Sequence, residues 1–182
     1  MKPDRMLIVV DMQAKLMPHI DNAGRVLKRC AALISAADLL GIPVLVTEQN
    51  AKRLGASVDG LTRGLPHGSI REHYRVIEKH TFDATLCPDF IAALPPKNTV
   101  LFVAGCETHV CVLLTIRGLL RLGYAVELIA DATGSRVPED KAIALARAQR
   151  DGALPTTTET AIFGWVESCE NARFKEVLAL IK

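Results

Sequence analysis

Asp11, Lys79 and Cys111 are the side-chain types that together make a cysteine nucleophile with a general base and a cationic partner. A thiol attacks a carbonyl carbon as its thiolate, which a neighbouring ammonium favours, while a carboxylate can take the thiol proton and later activate water. With Thr108 as N-cap, Cys111 falls at the third position of a helix, where free N–H groups and the helix dipole stabilise an anion. That predicts a Cys111 pKa below the free value of about 8.5. Each residue alone has a plainer account: an Asp after a strand closes a turn, a Lys is solvated, and a Cys in an apolar helix is packing. Their shared position is what joins them, since each follows a candidate strand.

Those strands are unbroken apolar runs, the pattern of a sheet covered on both faces. Leu7 to Val10, Val44 to Thr47 and Val100 to Ala104 read this way; Ala125 to Ala130 is another strand candidate, with shorter ones at Arg75 to Glu78 and Leu154 to Thr156. Helical spacing runs from Asn22 to Leu40, stopped by Gly41 and Pro43, and from Thr108 to Leu122, stopped by Gly123. Further helices are expected from Leu86 to Leu94, from Pro138 to Arg150 and from Phe174 onward. Gln49 to Tyr74 is a long glycine-bearing excursion of the kind that forms functional loops. Alternating strands and helices predict a three-layer α/β domain, residues 1–182, with a doubly wound, mainly parallel sheet. Ligands bind such sheets beyond the strands' carboxyl ends, near the point where strand order reverses.

Composition narrows the function classes. The 182 residues fit a single domain. The net charge of +2 is gathered in no basic run and aromatics are only 4%, so neither nucleic acid nor a membrane surface is an expected partner. Five cysteines, an odd number, argue against a disulfide framework. Asp11 interrupts the first apolar run before it could act as a signal segment, and no run reaches the roughly 20 residues that span a bilayer. A cytoplasmic protein is expected. The turn after the first strand, DMQAKLMP, has no glycine, which excludes a dinucleotide-binding Rossmann turn.

Three segments carry a resemblance: LIVVDMQ at 7–13, EKHTFDA at 78–84 and VAGCETHVCVLLTIRGLL at 103–120. In order and spacing they resemble the signature segments of the isochorismatase-like cysteine hydrolases, the third being the most specific. DATGS at 131–135 and TTTETAIFGW at 156–165 extend the likeness over nearly the whole chain. The resemblance implies six strands in the order 3-2-1-4-5-6. It implies Cys111 as nucleophile, Asp11 as general base and Lys79 as the cation that stabilises the thiolate. It also implies a cis bond between Cys106 and Glu107, with the Glu107 and Cys111 N–H groups as an oxyanion hole. The reaction implied is cleavage of a small amide or ureido C–N bond through a thioester, in a homo-oligomer (dimer or larger).

The metal-binding nicotinamidase branch carries Asp-x-His after its second strand, whereas VTEQNAKRLG has no histidine. No metal and no cofactor are therefore expected. Gln13, Gln49 and Asn50 are candidate substrate contacts, Phe82 a candidate apolar wall, and His80 a residue that could border the pocket. Cys106, His109 and Cys111 could be drawn as a soft metal site, or the two cysteines as a redox pair, but the spacing fits neither. Cys30, Cys87 and Cys169 read as structural. Trp165 and Phe163 fit either the core or a subunit contact. From another functional class, a catalytically silent assembly module on the same fold would be marked by loss of one of the three residues, and all three are present.

Overall fold

The apolar runs pair side by side. A computed structural model describes residues 4–62 and 74–181. In it β1 (Arg5–Val10), β2 (Val44–Gln49), β3 (Tyr74–Lys79), β4 (Val100–Cys106), β5 (Ala125–Gly134) and β6 (Leu154–Thr156) form a parallel sheet in the order β3-β2-β1-β4-β5-β6. The expected strand order holds. Strand order reverses between β1 and β4, so their carboxyl ends flank the crevice where ligands bind in such sheets.

Alternate strand residues feed two apolar layers. Leu7, Val9, Val46 and Phe102 pack against α1 (Ala23–Leu39), α6 (Thr158–Val166) and α7 (Phe174–Ala179). Ile8, Val10, Leu45 and Val103 pack against α3 (Pro88–Ala92), α4 (Leu113–Arg121) and α5 (Pro138–Arg150). A period of two with both faces covered is why the runs show no polar alternation. Trp165 is a core residue, its ring edge-on to Phe102 at 5.2 Å, while Phe163 is partly exposed beside Phe174.

Several elements differ from expectation. The excursion after β2 begins with a short helix, α2 (Ala51–Leu54), and a 3-10 turn at Asp59–Leu61, while residues 63–73 lie outside the described residues. The expected Leu86 to Leu94 helix is a 3-10 turn at Ala84–Leu86 followed by α3, because Pro88 restarts the helix after Cys87. The stretch from Thr158 to Val166, which periodicity does not mark, is helical. Thr157 caps it by accepting from the Thr160 N–H at 3.2 Å.

Beside the crevice, Val10 of β1 pairs with Gly105 of β4. Gly105 has φ +109°, and a Cβ there would run into the main-chain oxygen and nitrogen of Val10. Only glycine satisfies both demands.

Candidate active site

Asp11 follows β1 directly, in the left-handed region at φ 48°, which Asp tolerates better than most residues. Its N–H donates to the Thr47 carbonyl at 3.0 Å, and its side chain turns between two donors. The Thr47 hydroxyl reaches Oδ1 at 2.7 Å, and Lys79 Nζ reaches Oδ2 at 2.8 Å. Lys79, the last residue of β3, has a side chain of 0% exposure. A buried ammonium needs every proton placed. Lys79 donates its other protons to Gln49 Oε1 at 2.8 Å and to the Thr81 carbonyl at 3.3 Å.

Cys111 stands on the turn that leaves β4, 7% exposed. The sequence suggested one helix from Thr108 to Leu122. Instead a π-helical turn, Thr108–Val112, precedes α4. Thr108 is not its cap: Glu107 precedes the turn, and the Thr108 hydroxyl is buried without a hydrogen-bond partner among the described residues. The Cys106–Glu107 bond is cis, as expected.

The expected low thiol pKa is overturned. Burial first and the Asp11 carboxylate second push the Cys111 thiol up, Lys79 opposes both, and the balance leaves it at about 12. Lys79 thus acts in the expected direction and is outweighed. Asp11, Lys79 and Cys111 are brought together as a buried ion pair beside a neutral thiol.

The four candidate substrate contacts separate. Gln13 is fully buried and engaged with main chain: its amide donates to the Gln49 carbonyl at 3.1 Å and the Gly55 carbonyl at 2.7 Å, and its oxygen accepts from the Gln49 N–H at 2.8 Å. It clasps the loop after β2. Gln49 orients Lys79 and ties Nε2 to the His80 carbonyl at 3.1 Å. Asn50, at φ 41°, starts α2, and its N–H donates to the Lys79 carbonyl at 2.9 Å. Phe82, expected as a pocket wall, is 57% exposed, and His80 is exposed. Thr47 is the residue that sequence reasoning missed. Its signal is a lone hydroxyl ending the otherwise apolar run VLVT.

Cys106 packs away from Cys111, its sulfur 3.6 Å from that of Met12 and 4.0 Å from that of Met17, in the layer on the other side of the sheet. Burial also pushes its thiol up to about 12. His109 Nδ1 lies 3.0 Å from the Ser135 hydroxyl and Nε2 lies 3.7 Å from Asp140. Glu107 accepts from Arg136 Nε at 2.9 Å. These links fasten the Cys111 turn to the segment between β5 and α5. Among the described residues no group of three or more His, Cys, Asp or Glu is placed to hold a metal.

Residues 5–160 match the family described as the isochorismatase domain. This chain belongs to the isochorismatase family. It is 35% identical over 176 residues to the isochorismatase domain-containing protein 1 of Danio rerio, covering 94% of this chain and 59% of that relative, so it spans under two thirds of the relative's length. Among solved structures, the MAR1 ribonuclease of Caenorhabditis elegans is 35% identical with TM-score 0.88, over 99% of this chain and 90% of that one. The YcaC product of Escherichia coli, described as an octameric hydrolase of unknown specificity, shares the fold at 22% identity and TM-score 0.86, over 98% and 86%. No helix among the described residues is long and apolar enough to cross a membrane.

Proposed function

We propose that this isochorismatase-family chain is a hydrolase of small amide or ureido C–N bonds, acting through a Cys111 thioester without a metal or cofactor. The observation that supports it is a buried Cys111 close to the Asp11 carboxylate, which Thr47 and Lys79 hold. As the sulfur attacks the carbonyl carbon, its proton passes to Asp11. The carbonyl oxygen gathers negative charge against the Glu107 and Cys111 N–H groups. Collapse of the adduct breaks the C–N bond, and the leaving nitrogen takes the proton from Asp11. Asp11 then takes a proton from water as the water attacks the thioester. The acid departs and the sulfur regains its proton. Lys79, with its protons placed, holds Asp11 in register rather than carrying a proton. Exposed Val76, Phe82, Leu86 and Ile91 support assembly into a homo-oligomer. The five unpaired cysteines support a reducing compartment.

Incubation with a panel of small amides and ureido compounds, read by ammonia release and intact mass, tests this reading. We expect a mass gain on the peptide bearing Cys111, and loss of both adduct and turnover in Cys111→Ser with the fold retained. RNA belongs in the same panel because of the name carried by the C. elegans relative. RNA cleavage that survives Cys111→Ser, or no reaction with any member, refutes the acyl-transfer reading; the latter result favours the assembly module.

A further inference from the structure

Away from Cys111, a cavity of about 170 Å³ opens between the start of α1, the end of β5 and the start of α5. Its wall includes Asp21, Asn22, Arg25, Asp131, Ser135 and Lys141. Val26, which also lines it, belongs to the apolar layer on the opposite side of the sheet from Cys111.

The charges on this wall are unevenly matched. Asp131 is engaged: Oδ2 lies 3.3 Å from Arg29, and Oδ1 accepts from the Thr158 N–H at 2.7 Å and hydroxyl at 2.9 Å. Asp21 accepts from the Asn22 amide at 2.7 Å. Neither Arg25 nor Lys141 forms an ion pair with a carboxylate among the described residues. The Lys141 ammonium donates to the Thr133 carbonyl at 2.7 Å. Arg25 and Lys141 line the same concave site, and the Lys141 pKa is lowered, first by burial and then by Arg25, with Asp131 and Asp21 opposing. The lining carries two cations and two carboxylates; because Arg29, outside the lining, pairs with Asp131, Asp21 is the one lining carboxylate left against Arg25 and Lys141.

We propose that this cavity binds a small carboxylate, clamped between the Arg25 guanidinium and the Lys141 ammonium. One negative charge matches the surplus, and both cations donate charge-assisted hydrogen bonds to such a ligand. Ser135, 1% exposed, adds a hydroxyl that is free to donate when His109 Nδ1 carries the proton. The same serine touches His109, two residues before Cys111, so the site shares a wall with the turn that bears the nucleophile. The proposal does not depend on the acyl chemistry.

Titration of the isotopically labelled protein with sodium acetate, and separately with inorganic phosphate, tests it by amide chemical shifts. We expect saturable acetate shifts confined to residues 21–26 and 131–141, with a dissociation constant in the millimolar range. Arg25→Gln, an exposed substitution, weakens acetate binding about tenfold, the size of a lost hydrogen bond to a charged group. Lys141→Gln does the same, and Cys111→Ser binds as the parent does, even if it is inactive. Non-saturating shifts, binding unchanged in both cation variants, or binding of phosphate alone overturns the proposal.

Discussion

Asp11→Asn is expected to make Cys111 more reactive toward an alkylating agent while making the protein a worse catalyst. With the thiol pKa near about 12, only about one Cys111 in 10⁴ is ionised at pH 8. After burial, the Asp11 carboxylate is the largest cause of that elevation. A charge a few ångströms away shifts a pKa by about 1–3 units, so its removal brings the thiol to between about 9 and 11. Each unit raises the thiolate fraction, and with it the alkylation rate at pH 8, about tenfold. On the proposed mechanism turnover moves the other way, falling about 10²- to 10⁴-fold as Asp11 can no longer act as general base. Lys79→Met slows alkylation, since Lys79 lowers the thiol pKa. The assay is iodoacetamide labelling across pH with peptide mass mapping, using half-buried Cys87 and exposed Cys169 as internal references. If Asp11→Asn is alkylated more slowly than the parent, Asp11 already holds the thiol proton in the free protein and the electrostatic argument is wrong. A parent midpoint below the free-cysteine value refutes it equally.

Stability should fall steeply between pH 9 and 12. Folded Cys106 and Cys111 keep their protons up to about 12 against an ordinary value of 9.0. Because their folded pKa is raised, this contribution is intact below about pH 9 and is lost as pH climbs through 12. For buried Cys106 that amounts to about 4 kcal/mol, and urea unfolding that is flat over this range contradicts it. Gln13→Ala should cost about 2–4 kcal/mol, since it strands three main-chain groups at Gln49 and Gly55. It should also speed hydrogen exchange at the Gln49 N–H, and unchanged exchange there would show that another group clasps the loop.

The parallel sheet and its strand order were legible because uninterrupted apolar runs separated by helical spacing have few other solutions. Asp11, Lys79 and Cys111 were legible because each ends or follows such a run at the carboxyl edge. What one residue's type could not convey was the balance of opposing effects around it. Cys111 follows a helix start that favours an anion, yet burial and Asp11 outweigh that and Lys79 together, a comparison that requires distances. Gln13 looked like a substrate contact because polar groups at a strand end face ligands. The loop that doubles back over it, bridging Gln13 to Ser57, is a tertiary event with no local signature. The π turn before α4 was hidden because its residues suit an ordinary helix.

The Asp11–Lys79 pair joins the ends of the central and edge strands, and Gln49 and Thr47 bring the strand between them into the same knot. The centre is therefore also the seam that closes this border of the sheet. Removing either charge leaves the other buried and uncompensated, at about 3–5 kcal/mol, whatever becomes of the chemistry. A descendant that abandoned turnover could discard its sulfur freely but would be held to the aspartate and the lysine by the need to fold. Retention of those two charges in a diverged copy speaks for architecture, and the cysteine alone speaks for a working enzyme.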